Sequence, residues 1–435
     1  MNARTLLFAG ATTAGWTLLA ASLHVETPEG RRTCGEETVF RVSYVDAAGR
    51  PVNSGTALLT VDNFGPEVQY SNRVDFAVAN PVTVKGTLRS PGFLRISVDM
   101  PGVSRNLDDF PFMYSVPYEP EKIEQGAPEP LDFDDFWAKA QADLDATTSD
   151  DVQMTAEVRK SSSDWTMYRV SFASAGRRVY AWVSFPAKAG PWPATVAVPG
   201  AGCSMNLGGG SKDRVKMLIS VFPFEPSLDA EENRRRFDAL NESCRKKYGV
   251  PRYPFAGMDV SPREYFYYPV ILGAARAVRW LAARPEVDRA RIVYNGSSQG
   301  GAFGFYLAAL AGEAFSQVVV GVPAITDTLG FLKGRNGGWP HADLEWFGCD
   351  EKARDARIAK VMPYFDGCNF AARAKCPVCV VVGLSDWVCP PSAVLSAYNR
   401  MTRPDRRIVY AYGGEHQNAS QLGWEQENVR RKAKP

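Results

Sequence analysis

The stretch Arg291-Ile-Val-Tyr-Asn-Gly-Ser-Ser-Gln-Gly-Gly301 decides the fold of this chain. Its first residues include β-branched and aromatic side chains, which favour a strand. Gly296-Ser-Ser-Gln-Gly300 comes next, and Ala302 to Leu310 is then a run of helix formers. A strand, a sharp glycine-flanked turn and a helix in this order are typical of a nucleophilic serine on a strained turn. The sequence therefore predicts Ser298 as a nucleophile.

A nucleophilic serine needs a general base, and histidine is the usual one. The chain has three histidines: His24, His341 and His416. His24 precedes the serine in another predicted domain, and His341 lies in a Gly/Pro/Trp-rich loop with no strand-ending acid between it and the serine. His416 follows the predicted strand Arg407 to Tyr412, on a loop at a strand end, where a mobile imidazole can be presented. His416 is therefore the predicted base.

The acid that orients the histidine is expected at the end of a strand between the serine and the histidine. Val378-Cys-Val-Val-Val-Gly383 is a continuous apolar run, as a buried parallel strand should be. Asp386 follows at its carboxyl end, where open α/β sheets place their sites, and is the predicted acid. The competitors are Asp366, which precedes the strand, and Glu415, which adjoins the histidine too closely to face its ring easily.

The order serine, acid, histidine is that of the α/β-hydrolase fold. From Asp132-Phe-Asp-Asp-Phe-Trp137 onward, predicted strands alternate with helices, which indicates a mostly parallel sheet with helices on both faces. Residues 132–435 are therefore predicted to form an α/β-hydrolase catalytic domain. Residues 204–262 interrupt the alternation with a Gly-rich turn and the charged run Asp229 to Arg236. This segment is predicted to be a solvated helical insertion over the sheet.

An oxyanion hole is expected to use the backbone N–H of Gln299 and a second N–H from an earlier loop at a strand end. Thr195-Val-Ala-Val-Pro-Gly-Ala-Gly202 is an apolar run that breaks into glycines, so Ala201 is the predicted second donor. Gly208-Gly-Gly210 lies nearby in the chain. This triplet fits either a ligand cradle or a flexible turn.

Residues 16–118 have the pattern of a separate all-β domain. Val39 to Val45, Ala57 to Val61 and Leu94 to Val98 are short strand-like runs separated by turn signals. This spacing predicts a small immunoglobulin-like sandwich as an accessory domain. The Pro- and Glu-rich residues 119–131 are predicted to be a linker.

The first residues suggest an exported protein. Met1-Asn2-Ala3-Arg4 supplies one positive charge, and Thr5 to Ala21 is apolar or small. Residues 1–15 are therefore predicted to be a signal peptide, with a secreted or periplasmic location. The alternative is that Trp16 to Val25 is the first strand of the next domain.

Composition excludes some functions and leaves others open. The 435 residues carry 50 basic and 48 acidic side chains, a formal charge of +2, which gives no reason to expect a nucleic-acid or membrane partner. There is also no apolar run of about twenty residues that would span a membrane. Cys376-Pro-Val-Cys379 has the spacing of a redox or zinc motif, but no second pair or nearby histidine completes a metal set. Buried structural cysteines are the better interpretation, and disulfides among the eight cysteines stay open.

These segments together resemble the acetyl xylan esterase and cephalosporin C deacetylase family, carbohydrate esterase family 7, over roughly residues 128 to 420. The matching pieces are Asp132 to Trp137, Tyr267-Tyr268, Ala275-Arg-Ala-Val278, Pro285-Glu-Val-Asp288, Arg291-Ile292, Ser298-Gln-Gly-Gly301, Gly383-Leu-Ser-Asp-Trp-Val-Cys-Pro-Pro-Ser392 and Ala397-Tyr-Asn399. In that family the Asp of the Gly383 to Ser392 segment is the triad acid, which agrees with the independent choice of Asp386. The chain reads Pro199-Gly-Ala201 where the family usually has His-Gly-Tyr.

The resemblance implies a serine carboxylesterase that removes acetyl groups from acetylated xylan or other oligosaccharides. It implies no metal or organic cofactor, and it makes an oligomer possible. Trp339, Trp346 and Trp387 fit a sugar platform, although core packing explains each about as well. Two rival readings remain: a serine exopeptidase of the prolyl oligopeptidase type, and an inactive carbohydrate-binding relative.

Overall fold

The computed structural model describes residues 21–28, 30–103, 111–147, 151–202, 208–340 and 351–432. The predicted signal peptide, residues 1–15, lies outside these ranges. None of the helices in the described ranges combines the length and the apolar composition needed to cross a membrane.

The described N-terminal residues form two antiparallel sheets. One has the strand order β1-β2-β5 and the other β4-β3-β6-β7. The strands are β1 (Ser22–Glu26), β2 (Thr38–Val45), β3 (Thr56–Asp62), β4 (Val68–Asp75), β5 (Val82–Gly86), β6 (Gly92–Asp99) and β7 (Phe112–Tyr118). The three strand-like runs of the sequence thus coincide with β2, β3 and β6. Alternating apolar residues of both sheets, including Phe40, Leu59 and Ile96, are fully buried between them.

In the rest of the described chain, nine strands form one mixed sheet in the order β16-β15-β14-β13-β11-β12-β10-β9-β8. From β12 to β16 every neighbouring pair is parallel, while β8, β9 and β10 pair antiparallel. The bounds are β8 (Val152–Ala156), β9 (Trp165–Ser174), β10 (Arg177–Pro186), β11 (Trp192–Ala197), β12 (Val215–Ile219), β13 (Val287–Ser297), β14 (Gln317–Gly321), β15 (Val378–Gly383) and β16 (Arg407–Ala411). The mostly parallel sheet expected from the sequence is therefore present.

Helices cover both faces of this sheet. They are α1 (Phe133–Thr147), α2 (Ala230–Tyr248), α3 (Tyr267–Ala282), α4 (Gln299–Leu310), α5 (Glu351–Val361), α6 (Gly367–Ala371), α7 (Pro391–Arg400) and α8 (Ala419–Lys432). Strand β15 shows why its sequence is apolar throughout. Val378, Val380 and Val382 belong to the main core, whereas Cys379 and Val381 form a cluster on which Trp424 of α8 packs. Both faces of the strand are buried, which explains why all of its side chains are apolar.

Part of the predicted insertion belongs to the sheet itself. Val215–Ile219 is strand β12, hydrogen-bonded between β10 and β11, so residues 204–262 do not lie wholly over the sheet as expected. The charged run does form a helix, α2, whose first turn is capped by the side chain of Asp229. The strand was missed because a five-residue apolar run next to a Gly-rich turn has too little periodicity to identify it.

The two parts of the chain share a core. Phe64, in the turn after β3, is fully buried within the main core of the hydrolase part. Its carbonyl oxygen accepts the backbone N–H of Asn336 at 3.1 Å, and the Asn63 side chain donates to the carbonyl of Gly334 at 2.9 Å. The N-terminal sheets therefore pack on the loops at the carboxyl edge of the large sheet.

Candidate active site

Ser298 sits on the strained turn that its sequence predicts. It connects β13 to α4 with φ 58° and ψ −123°, a conformation that costs energy for any residue with a Cβ. Its backbone is held on both sides: its N–H donates to Gly321 at 3.0 Å, and its carbonyl accepts the N–H of Ala324 at 2.9 Å. These bonds come from β14 and the loop after it, so the surrounding fold imposes the turn.

The glycines around Ser298 are required by close backbone contacts. A Cβ on Gly300 would collide with the carbonyl oxygen of Val198, at the end of β11. A Cβ on Gly296 would lie 2.5 Å from the Gly300 carbonyl oxygen, and one on Gly301 would lie 2.6 Å from that of Gly321. Real side chains do not reach such distances, so the motif allows strand, turn and helix to meet.

The three residues predicted as a triad lie in one hydrogen-bonded line. His416 Nε2 is 3.0 Å from Ser298 Oγ, and His416 Nδ1 is 2.9 Å from Asp386 Oδ2. Asp386 is fully buried, the His416 side chain is 10% exposed and Ser298 is partly exposed. The line thus runs from an enclosed carboxylate to a hydroxyl that a substrate can reach.

Parallel topology brings the three together. Ser298 follows β13, Asp386 follows β15 and His416 follows β16. Because these strands are parallel neighbours through β14, their carboxyl ends meet at one edge of the sheet. Residues up to 118 apart in sequence become hydrogen-bond partners there.

Both carboxylate oxygens of Asp386 have hydrogen-bond partners. Its Oδ1 accepts the backbone N–H groups of Val388 and Cys389, each at 2.8 Å, and Oδ2 faces the imidazole. Burial raises the pKa of Asp386, and contact with His416 and the two N–H groups opposes that rise. The bond to Nδ1 holds the ring with Nε2 directed at Ser298 Oγ, as general-base catalysis requires.

Asp366 and His24, which competed for the roles of acid and base, lie elsewhere in the structure. Asp366 accepts N–H groups of Asp327, Thr328 and Cys368, and so acts as a helix cap in the loop before α6. His24 lies on β1 and contacts Ser22, and His341 is outside the described residues.

Among the described side chains, Asp386, Cys389 and His416 are the one His/Cys/acid group with ligand atoms close enough, within 4.8 Å, for a metal. A metal ion bound there would replace the hydrogen bond between Asp386 and His416.

The predicted oxyanion loop lies beside the serine. A Cβ built on Gly200 would be 3.9 Å from the Cβ of Ser298, and Ala201 next to it is exposed. Gln299 is the first residue of α4, so its N–H has no acceptor within the helix. The Gly-rich triplet is described as well: Gly210 packs on the indole of Trp165, which favours a structural turn over a ligand cradle.

The sequence did not reveal the surroundings of the Gln299 side chain. This fully buried amide accepts hydrogen bonds from the phenols of Tyr253 and Tyr267 and donates to the carbonyls of Pro199 and Gly200. In the sequence, Tyr267 belongs to a segment that resembles the family, and Tyr253 lies in the predicted insertion. The only local signal was their aromatic character, which equally suggests core packing.

The tryptophans proposed as a sugar platform differ in setting. Trp387, partly exposed, directly follows Asp386, and its ring stacks on Phe64 with centroids 6.4 Å apart. Trp339 is also partly exposed, and its carbonyl accepts the N–H of Ile325 at 2.5 Å. Trp346 is outside the described residues.

The Cys376-Pro-Val-Cys379 pair is structural in this fold. Cys376 and Cys379 are 2% and 1% exposed and are both free thiols. Burial raises the pKa of Cys376 to about 12, which leaves essentially no thiolate at neutral pH. The interpretation as buried structural cysteines agrees with this geometry.

Comparison with known proteins identifies relatives over most of the chain. Residues 118–429 match the family described as acetyl xylan esterase (AXE1). The chain is 28% identical over 407 residues to the acetyl esterase Axe7A of Xylanibacter ruminicola, covering 90% of this chain and 85% of that protein.

Two solved structures share the fold. The acetyl xylan esterase from Paenibacillus sp. R4 aligns with a TM-score of 0.58 and 23% identity, over 72% of this chain and 97% of that one. Acetyl xylan esterase 1 from Thermoanaerobacterium sp. JW/SL YS485 aligns with a TM-score of 0.54 and 21% identity, over 71% and 97%. With an α/β-hydrolase sheet and a family match over more than half its length, the chain belongs to the acetyl xylan esterase family and is a carboxylic ester hydrolase.

Proposed function

We propose that this protein removes acetyl groups from xylan or xylo-oligosaccharides through an acyl-enzyme on Ser298. The observation that carries the proposal is the hydrogen-bonded line from Ser298 Oγ through His416 to Asp386, at 3.0 and 2.9 Å. Membership of the acetyl xylan esterase family supports the choice of ester.

In the first half of the reaction, His416 Nε2 takes the hydroxyl proton of Ser298 while Oγ attacks the acetyl carbonyl carbon. The carbonyl oxygen becomes an oxyanion, which accepts hydrogen bonds from the backbone N–H groups of Gln299 and Ala201. Asp386 stabilises the imidazolium through Nδ1–H. The bond to the sugar oxygen then breaks, and His416 donates its proton to that oxygen, which leaves an acetyl-serine.

The second half uses the same groups with water as nucleophile. His416 takes a proton from the water, whose oxygen attacks the acetyl-serine and forms a second oxyanion in the same hole. Collapse of this intermediate releases acetate, and the proton on His416 returns to Ser298 Oγ. The proposed steps thus combine nucleophilic catalysis by Ser298 with acid–base catalysis by His416.

Acetate release from acetylated xylo-oligosaccharides is the first test. We expect the full chain to release acetate and Ser298→Ala to release none above background. Ser297→Ala is the matched control: this neighbouring hydroxyl is exposed, lies 3.2 Å from the hydroxyl of Ser420, and has no part in the proposed reaction. Equal release by the wild type and Ser298→Ala would overturn the assignment of the nucleophile.

Two further substrates separate this proposal from its rivals. Hydrolysis of 4-nitrophenyl acetate without release from the oligosaccharides would retain the esterase and reject the carbohydrate. Cleavage of alanine 4-nitroanilide in preference to esters would favour the exopeptidase. Absence of both activities, together with no labelling of Ser298 by a fluorophosphonate, would favour an inactive binding protein.

We also propose that the two N-terminal sheets form an immunoglobulin-like sandwich. The support is their composition from three and four antiparallel strands around one shared apolar core. An experimental structure would test it through the angle between the sheets, expected to be about −30°. Sheets packed at a right angle would contradict the proposal.

A further inference from the structure

The side chain of Gln299 uses its full hydrogen-bonding capacity in a buried site. Its Oε1 lies 2.7 Å from the Tyr253 phenol and 2.6 Å from that of Tyr267. Its Nε2 lies 3.1 Å from the Pro199 carbonyl oxygen and 3.4 Å from that of Gly200. Two acceptor and two donor positions are all that a glutamine amide has.

The chemistry of these partners determines where the protons are. The carbonyl oxygens of Pro199 and Gly200 can only accept, so the NH₂ group of the amide must face them. The amide oxygen then faces both phenols, so Tyr253 and Tyr267 must donate. Burial raises the pKa of both tyrosines, which keeps both phenols protonated at neutral pH.

The phenols are held rigidly by their surroundings. Tyr253 lies in a short 3-10 turn, and its ring makes edge contacts with Phe222 and Phe237 at 5.4 and 5.9 Å. Tyr267 begins α3 and is fully buried, with Phe303 of α4 at 6.0 Å. Each hydroxyl is therefore presented to Gln299 from a packed aromatic cluster.

The carbonyls that Gln299 holds belong to the loop of the predicted second oxyanion donor. Pro199 and Gly200 immediately precede Ala201, and Gly202 follows it. Gly202 has a φ of 131°, so the loop cannot rely on regular backbone structure for its shape. The hydrogen bonds from the Gln299 amide thus hold the two residues that immediately precede Ala201.

We propose that Tyr253, Tyr267 and the side chain of Gln299, together the Gln299 clamp, are positioning residues for the oxyanion hole. Gln299 thereby supplies one oxyanion donor with its backbone and fixes the other with its side chain. The inference rests on the proposed esterase mechanism, in which both N–H groups bind the oxyanion. Donors are effective only within about 2.7–3.1 Å of the oxyanion, so a loose loop would lose most of its effect.

The clamp makes a specific kinetic prediction. A donor that acts on the oxyanion stabilises the transition state more than the bound ester, so its misplacement lowers kcat and leaves KM nearly unchanged. Gln299→Met preserves the length of the side chain and the backbone N–H, but it cannot bond to the loop or to the phenols. We expect its kcat on 4-nitrophenyl acetate to fall about 100-fold.

The two tyrosines provide milder variants. Tyr253→Phe and Tyr267→Phe each keep the ring and remove one donor, so we expect about a tenfold loss of kcat for each. Tyr306→Phe is the matched control. Tyr306 is also fully buried, lies on the same helix as Gln299 and donates to the Phe365 carbonyl at 2.8 Å, but it does not contact the loop.

The experiment uses the full chain and measures kcat, KM, thermal midpoint and affinity for a trifluoromethyl ketone, whose serine adduct carries an oxyanion. The expected result is that kcat and ketone affinity fall together in the three clamp variants, while KM stays within about twofold. Tyr306→Phe should lower the thermal midpoint without changing kcat.

An unchanged kcat in Gln299→Met, or losses of kcat that follow the thermal midpoint in Tyr306→Phe as well, would overturn the clamp alone. A wild-type chain inactive on 4-nitrophenyl acetate would overturn both the clamp and the esterase mechanism. A wild type active on this ester but not on xylo-oligosaccharides would reject only the carbohydrate, and the clamp would still be decided by the same variants.

Discussion

Arg95, on β6 of the N-terminal sheets, lies over the indole of Trp387, with its guanidinium carbon 4.6 Å from the ring centroid. The same guanidinium is 4.6 Å from the ring of Phe64 and forms a buried ion pair with Asp62 at 2.6 Å. Because Trp387 directly follows Asp386, the N-terminal domain packs against the loop that carries the predicted catalytic acid. The N-terminal sheets thus help to support the site.

Removing this arginine should destabilise the protein and impair the acid loop. Arg95→Ala leaves Asp62 buried without its partner, which costs about 3–5 kcal/mol in the free energy of unfolding. It also withdraws the group that packs on Trp387, so we expect kcat for ester hydrolysis to fall. Denaturant unfolding and steady-state kinetics measure the two effects.

Arg41→Ala is the control for Arg95→Ala. Its ion pair with Glu26 is 4.0 Å long and exposed, and is worth about 0–1 kcal/mol. Equal losses in both variants would contradict this account of the interface.

Changing the acid without changing its size should remove most activity. In Asp386→Asn, the side-chain amide accepts a weaker hydrogen bond from Nδ1–H than the carboxylate does. The imidazole can then adopt the wrong tautomer. A loss of about 10,000-fold in kcat is expected, by analogy with other serine triads. Glu415→Gln, next to the base in sequence, serves as the control and should stay near wild type. Comparable losses in the two variants would argue that Asp386 does not orient His416.

The turn around Ser298 should not tolerate a methyl group on Gly300. In Gly300→Ala the new Cβ meets the backbone carbonyl of Val198, which cannot move without displacing β11. We expect a loss of about 1–3 kcal/mol in stability and a lower kcat, because the serine shifts relative to His416. Gly209→Ala is the control, since its Cβ would find only an ordinary contact of 3.7 Å with Trp165. Thermal midpoints and kcat of both variants decide the matter.

If Trp387 contacts sugar, its loss should affect large and small substrates differently. For Trp387→Leu we expect KM for acetylated xylo-oligosaccharides to rise about tenfold, as for the loss of one aromatic contact. KM for 4-nitrophenyl acetate, which has no sugar, should stay nearly constant. Trp192→Leu is the control, because that indole lies on β11 and donates to the Lys188 carbonyl. Parallel changes for both substrates would assign Trp387 to packing alone.

The buried thiols should be inert in the native protein. Cys376 and Cys379 are nearly inaccessible, so iodoacetamide should label neither until the chain is unfolded. Labelling of both in denaturant without reductant, located by mass spectrometry, is the expected result. A pair that needs reduction before it reacts would show that the thiols form a disulfide.

Local sequence patterns predicted much of the site. The serine turn needs glycines at defined spacings, the acid follows a strand that is apolar because both faces are buried, and His416 is the one histidine that follows both. Strand β12 could not be predicted, because five apolar residues carry too little periodicity. Its partners β10 and β11 are chosen by hydrogen bonds between segments distant in sequence.

The sequence by itself determined the kinds of element, the strained turn at Ser298 and the identity of the three aligned residues, because these depend on local sterics and on the order of groups along the chain. The tertiary structure alone decided that Arg95 packs on the acid loop and that two phenols hold Gln299 against Pro199 and Gly200. Gln299 is 46 residues from Tyr253 and 100 residues from Pro199 in the sequence, and no local pattern encodes contacts between such distant residues. They exist because burial in a packed interior forces each polar group to find a partner, whichever part of the chain supplies it.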